Sequence, residues 1–195
     1  MTGVLPVGAV PMQYNACQLA RMQFILASLS RWSKAPGGEH GLKLTILVGT
    51  MTGTADLVAQ EVRDALQPLG VTAELVQMDG LDAAVFARDG AFLICSSTYG
   101  QGDVPDNAKA LYDALERDKP DLAKVEYGVI ALGDRTYADT FCNGGRRFDE
   151  RLTALGARRV GDPMIHDASS GTMPEELAVE WVKSWVEQFK VARAV

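Results

Sequence analysis

The sequence predicts a doubly wound α/β domain: a five-stranded parallel sheet, ordered 2-1-3-4-5, between two layers of helices in a three-layer sandwich. Three observations carry that expectation. From Leu42 onward short apolar runs alternate with amphipathic stretches. The runs at 91–96 and 128–132 are apolar almost throughout, as strands covered on both faces are. Polar loops bearing glycine follow the first, third and fourth runs, where open parallel sheets bind ligands.

Leu44-Thr45-Ile46-Leu47-Val48 is apolar and partly β-branched and ends in Gly49-Thr50, which reads as strand one. Residues 55–69 follow, with Leu57, Val58, Val62, Ala65, Leu66 and Leu69 at helical spacing, and Gly70 stands where a helix ends. Residues 71–78 form strand two, 91–96 strand three and 128–132 strand four, with a weaker fifth at 157–160. Further helices are expected at 105–117, 145–155 and 174–190. In the last of these Leu177, Trp181, Trp185 and Phe189 recur at helical spacing, and that spacing marks Trp181, Trp185 and Phe189 as core and not as a cofactor stack.

The first forty residues differ in composition. All 25 acidic residues lie after Gly38, so the charge balance changes at Pro36-Gly37-Gly38. Residues 1–41 are therefore expected to be an N-terminal extension and 42–195 the domain. Residues 12–32 have helical periodicity, but Gln18, Arg21 and Gln23 interrupt it, leaving far fewer than the about 20 apolar residues that span a bilayer. The extension reads as a targeting or loosely anchoring peptide, as a helix packed on the domain, or as sequence upstream of the true start that does not order; the last two are favoured.

Charge and cysteine content narrow the function. A net charge of −6 does not suit a nucleic-acid partner held through phosphates, and it favours a basic protein partner. Cys17, Cys95 and Cys142 form neither a disulfide framework nor a zinc site, and a cytoplasmic, monomeric, non-membrane protein is expected. His40 and His166, the only histidines, have no Ser or Cys partner in context and read as surface or packing residues.

Three loops carry the chemistry. The first, Thr50-Met51-Thr52-Gly53-Thr54-Ala55, joins strand one to a helix N-terminus, where unpaired amides and the positive end of the dipole favour a phosphate. It has neither the lysine of a nucleoside-triphosphate loop nor the G-x-G-x-x-G of a dinucleotide site. Taken alone it also reads as a plain threonine-capped helix. The second loop, from Ser97 through Thr98, Tyr99, Gly100, Gln101 and Gly102 to Ala108, exposes a tyrosine between turn-forming residues. The third, from Leu132, Gly133 and Asp134 through Tyr137 to Phe141, Cys142 and Asn143, presents another. Two such rings can sandwich a flat heterocycle, each stack contributing about 0.5–1.5 kcal/mol beyond burial.

Thr-Met-Thr-Gly-Thr-Ala, Ser-Thr-Tyr-Gly-Gln-Gly-Asp-Val-Pro-Asp-Asn-Ala and Leu-Gly-Asp-Arg-Thr-Tyr together resemble the FMN-binding domains of diflavin reductases, and more closely the sulfite reductase flavoprotein and MioC-type flavodoxins. The resemblance covers roughly residues 42–190. It implies a flavodoxin-like fold, with Thr50, Met51, Thr52, Gly53, Thr54 and Ala55 around the FMN phosphate. Ser97, Thr98, Tyr99, Gly100 and Gly102 then cover one flavin face, and Leu132, Gly133, Asp134, Tyr137, Phe141, Cys142 and Asn143 line the other. The stretch from Tyr137 to Phe141 is one residue longer than in the reductases, and Asp167 falls about where they place a further acid. Open parallel sheets bind ligands at the switch point, where the strand order reverses between strands one and three, and flavodoxin with FMN is itself an example on which that rule rests.

The expected function is an electron carrier without a substrate site of its own. It would take single electrons from a basic NAD(P)H-dependent reductase and pass them to a partner redox enzyme. Asp103, Asp134 and Asp139 would disfavour added negative charge on the flavin. The alternative is an FMN-dependent NAD(P)H:quinone-type reductase. A receiver-type signalling domain is excluded, because Ser96-Ser97-Thr98 occupies the position where an acceptor aspartate would end strand three.

Overall fold

The computed structural model describes residues 41–193; the helix expected at 12–32 and His40 lie outside the described residues. The order is β1 (Lys43–Gly49), α1 (Thr54–Leu66), β2 (Thr72–Gln77), β3 (Ala91–Ser96), α2 (Asp106–Asp118), β4 (Glu126–Gly133), α3 (Asn143–Ala154), β5 (Arg158–Arg159), β6 (Met164–Asp167) and α4 (Pro174–Arg193). All paired strands are parallel, in the order β2-β1-β3-β4-β5, with β6 also on β4.

Every residue of β3 is buried, and β1 is buried after Lys43, which is why these runs are apolar along their whole length. Successive side chains feed opposite layers. Ile46 and Val48 of β1 pack with Val58 and Val62 of α1 and Val182 and Val186 of α4. Leu47 enters the other layer with Leu111 and Leu115 of α2 and Phe148 and Leu152 of α3.

Two details differ from the sequence reading. The fifth sheet position is shared: β5 lies beside the start of β4, and β6 beside its end. The chain leaves the sheet between them, and the indoles of Trp185 and Trp181 donate to the carbonyls of Val160 (2.7 Å) and Asp162 (3.1 Å). The run at 157–160 thus marks only half of that position. Secondly, Leu57, Leu69 and Leu177 are exposed. The buried stripe of α1 is Ala55, Val58, Ala59, Val62 and Leu66, and that of α4 is Ala178, Val182, Trp185, Val186 and Phe189, so Leu57 and Leu177 sit a turn of about 100° off the core face. Trp185 and Phe189 are core, and Trp181 packs partly buried against them.

Among the described residues no helix is long and apolar enough to cross a membrane, and no group of three or more His, Cys, Asp or Glu is placed to hold a metal ion.

Candidate functional site

The sheet register brings the three loops together. Gly49 pairs with Ser96 and Ser96 with Ala131, so β1, β3 and β4 release their loops side by side at one edge. Ser97 ties the first two, its amide donating to Gly49 O at 3.0 Å.

In the first loop Gly53 adopts φ 89° and caps α1 from the left-handed region, a conformation that disfavours any side chain although a Cβ would meet nothing within 4 Å. The Gly53 amide donates to Thr50 Oγ1 at 2.9 Å, and the Thr50 amide to Asn107 Oδ1 at 2.9 Å. Both amides are therefore engaged within the protein. The amides of Thr52, Thr54 and Ala55 have no protein acceptor among the described residues, and the hydroxyls of Thr52 and Thr54 lie on exposed residues. With Thr50 Oγ1 accepting, its own proton is free to donate. Left-handed glycine followed by open helix amides forms an anion-binding concavity. The nearest acid on α1, Asp56, is drawn aside by the Gln60 and Gln77 amides at 2.7 and 2.6 Å.

The second loop closes on itself. Tyr99 and Asp103 exchange backbone bonds of 3.1 and 2.9 Å, leaving Tyr99 half-exposed at the tip. Thr98 Oγ1 donates to Leu132 O and accepts from the Gly144 amide, both at 3.1 Å, so one hydroxyl joins loops two and three and the start of α3.

The third loop is held by side chains. Asp134 Oδ1 accepts from the Thr136 amide (2.8 Å) and hydroxyl (2.6 Å), and Tyr137 follows with 69% of its surface exposed. The Arg135 amide donates to Asp167 Oδ1 at 3.0 Å, and its guanidinium lies 4.8 Å from the Phe141 ring centroid. The Arg135 amide, with Ser169 hydrogen bonds and the Arg135 charge in support, holds the Asp167 carboxyl below the usual carboxylate range. Asp103, expected to repel negative charge, is compensated by Arg147 at 2.6 Å.

The structure thus brings all the sequence-predicted residues to one edge, but they present different atoms. Met51, Thr52, Thr54, Tyr99, Gly100 and Tyr137 are exposed, whereas Ala55, Gly102, Leu132, Phe141 and Cys142 are buried. Side chains such as Leu132 belong to the core. Asn107 lies within the second motif; its bond to Thr50 spans 57 residues and has no local signature. His166 is a packing residue, buried and bonded through Nε2 to Thr172 O at 2.9 Å.

Cys142 turns its thiol inward toward Ala131 O and His166 O, each 3.4 Å away. Burial pushes that thiol up to about 11 from 9.0. Below pH 9 it is neutral in both folded and unfolded chains and stability is intact; between pH 9 and 11 the unfolded chain ionises first, so stability falls. Urea unfolding at pH 8 and pH 11 should show the wild type losing about 2 kcal/mol more than Cys142→Ala over that interval.

The Flavodoxin family model matches residues 46–181. The chain belongs to the flavodoxin family. It is 35% identical over 147 residues to Protein MioC of Escherichia coli (strain K12), covering 75% of this chain and 98% of that protein. It is 36% identical over 142 residues to the sulfite reductase [NADPH] flavoprotein alpha-component of Vibrio cholerae, covering 72% of this chain and 22% of that one. Among solved structures, a cysteine-to-alanine mutant of flavodoxin from Pseudomonas aeruginosa superimposes with a TM-score of 0.69 at 37% identity, over 76% of this chain and 99% of that one. As a flavodoxin the chain binds FMN and carries electrons. The donor set fits that cofactor: free amides and hydroxyls without a cation suit a phosphate monoester, and exposed tyrosines on the two neighbouring loops suit a planar ring.

Proposed function

We propose that this flavodoxin carries single electrons from a basic NAD(P)H-dependent reductase to an acceptor redox enzyme in the cytoplasm, as a monomeric domain of residues 42–195 with residues 1–41 as an extension. The observation that carries the reading is the set of unpaired amides at Thr52, Thr54 and Ala55 beside exposed Tyr99 and Tyr137 on adjoining loops. When bound, FMN supplies the redox chemistry. The chain does the rest: loop-one amides and hydroxyls of Thr50, Thr52 and Thr54 hold the phosphate, and Met51 borders it. Tyr99, with Ser97, Thr98, Gly100 and Gly102 beneath it, covers one ring face. Tyr137 covers the other, above the backbone of Leu132, Gly133, Asp134, Phe141, Cys142 and Asn143. The net charge of −6 supports a basic donor.

The purified protein should be yellow and release FMN on acid treatment. Stepwise dithionite reduction should raise and then remove a long-wavelength absorbance, whereas direct bleaching by NADPH alone would favour the two-electron quinone-type reductase. Tyr137→Ala should raise the FMN Kd about two- to tenfold, measured by quenching of flavin fluorescence. An unchanged Kd would remove Tyr137 from the ring site.

A further inference from the structure

We propose that Asn107 is a positioning residue for the phosphate end of the cofactor, acting through Thr50; this rests on the FMN reading above. Asn107 lies half-buried in the first turn of α2, on the far side of the second loop from β1. Its carboxamide reaches back across the switch point: Oδ1 accepts from the Thr50 amide at 2.9 Å, and Nδ2 donates to Val48 O at 3.2 Å, with Asp79 Oδ2 at 3.5 Å beyond. These contacts admit only one orientation of the amide, because one partner is a donor and the others are acceptors.

The consequence runs along the loop. With its amide fixed on Asn107, Thr50 is oriented so that Oγ1 takes the Gly53 amide at 2.9 Å. That bond holds Gly53 at φ 89°, and the left-handed turn there leaves the amides of Thr52, Thr54 and Ala55 open. Asn107 donates nothing to the anion. It selects which loop amides are used internally and which are left for phosphate. Leucine copies its shape without either hydrogen bond, and serine removes the reach.

The test separates phosphate from ring. The full-length apoprotein, as wild type, Asn107→Leu and Asn107→Ser, is titrated with FMN and separately with riboflavin, following flavin fluorescence. In either variant the FMN Kd should rise about tenfold or more while the riboflavin Kd stays within about twofold. Inorganic phosphate should raise the melting temperature of the wild-type apoprotein and not that of the variants. Equal losses for the two flavins would make Asn107 a general structural residue and overturn the proposal, as would unchanged FMN affinity or the loss of cooperative folding in both variants. Failure of the wild type to bind either flavin would instead overturn the functional reading itself.

Discussion

Gly144→Ala is expected to raise the FMN Kd at least about a hundredfold and to lower the melting temperature by about 6–12 °C, for a cost near 3 kcal/mol. Gly144 is in the first turn of α3, and a Cβ there would lie 2.2 Å from Ser97 O, a backbone atom at the root of the second loop. No rotamer change relieves that clash, so the helix start and the loop must separate. The separation also pulls apart the Gly144 amide and Thr98 Oγ1, whose other bond holds Leu132 O.

The damage is directed at the cofactor because loops two and three carry Tyr99 and Tyr137. Their spacing sets the slot for the ring, and a displacement of about 1 Å is large on the scale of van der Waals contact. Glu150→Ala, exposed on the same helix, serves as the control and should change stability by less than about 0.5 kcal/mol. Isothermal titration with FMN and thermal unfolding of the apoprotein check both halves. A Gly144→Ala protein that binds FMN like the wild type would mean that the loops are not braced through α3.

How far the site could be read from residues alone follows from the range of each interaction. The central strands were legible because burial on both faces demands uninterrupted apolar sequence, and 91–96 matches β3 residue for residue. The loops were legible because glycine, threonine and exposed tyrosine are chemically specific where they stand. The split fifth position was only half legible: the run at 157–160 contains β5, but nothing marked Met164–Asp167, which only its pairing with residues 130–133 of β4 makes a strand. Nor could Asn107 be separated from its neighbours in the second motif, since its partners lie 57 and 59 residues back. The exposure of Leu57 and Leu177 has a different cause. Apolar spacing defines a stripe to within a residue, and packing between α1, α4 and the sheet decides which edge of it faces inward.

That packing also underlies the largest loss of stability expected. Trp185→Ala should cost about 3–5 kcal/mol, and Trp185→Phe less, about 2 kcal/mol, because the two changes remove different things. Trp185 is 1% exposed, and a Cβ on Gly128 of β4 would lie 2.7 Å from its indole, so the ring fills a space the sheet leaves for it. It also sits between Trp181, stacked at 5.9 Å, and Phe189 at 5.5 Å. Alanine deletes that volume in a well-packed layer and strands the Val160 carbonyl. Phenylalanine keeps much of the volume but still removes the indole donor at 2.7 Å from that carbonyl. Val160 is where the chain leaves β5 before re-entering the sheet at Met164, so no strand neighbour replaces the lost partner. Urea unfolding of the apoprotein should therefore rank wild type above Trp185→Phe above Trp185→Ala at similar m-values. If Phe matched the wild type, the hydrogen bond to Val160 would contribute nothing, and the interruption of the fifth position would be held by packing alone.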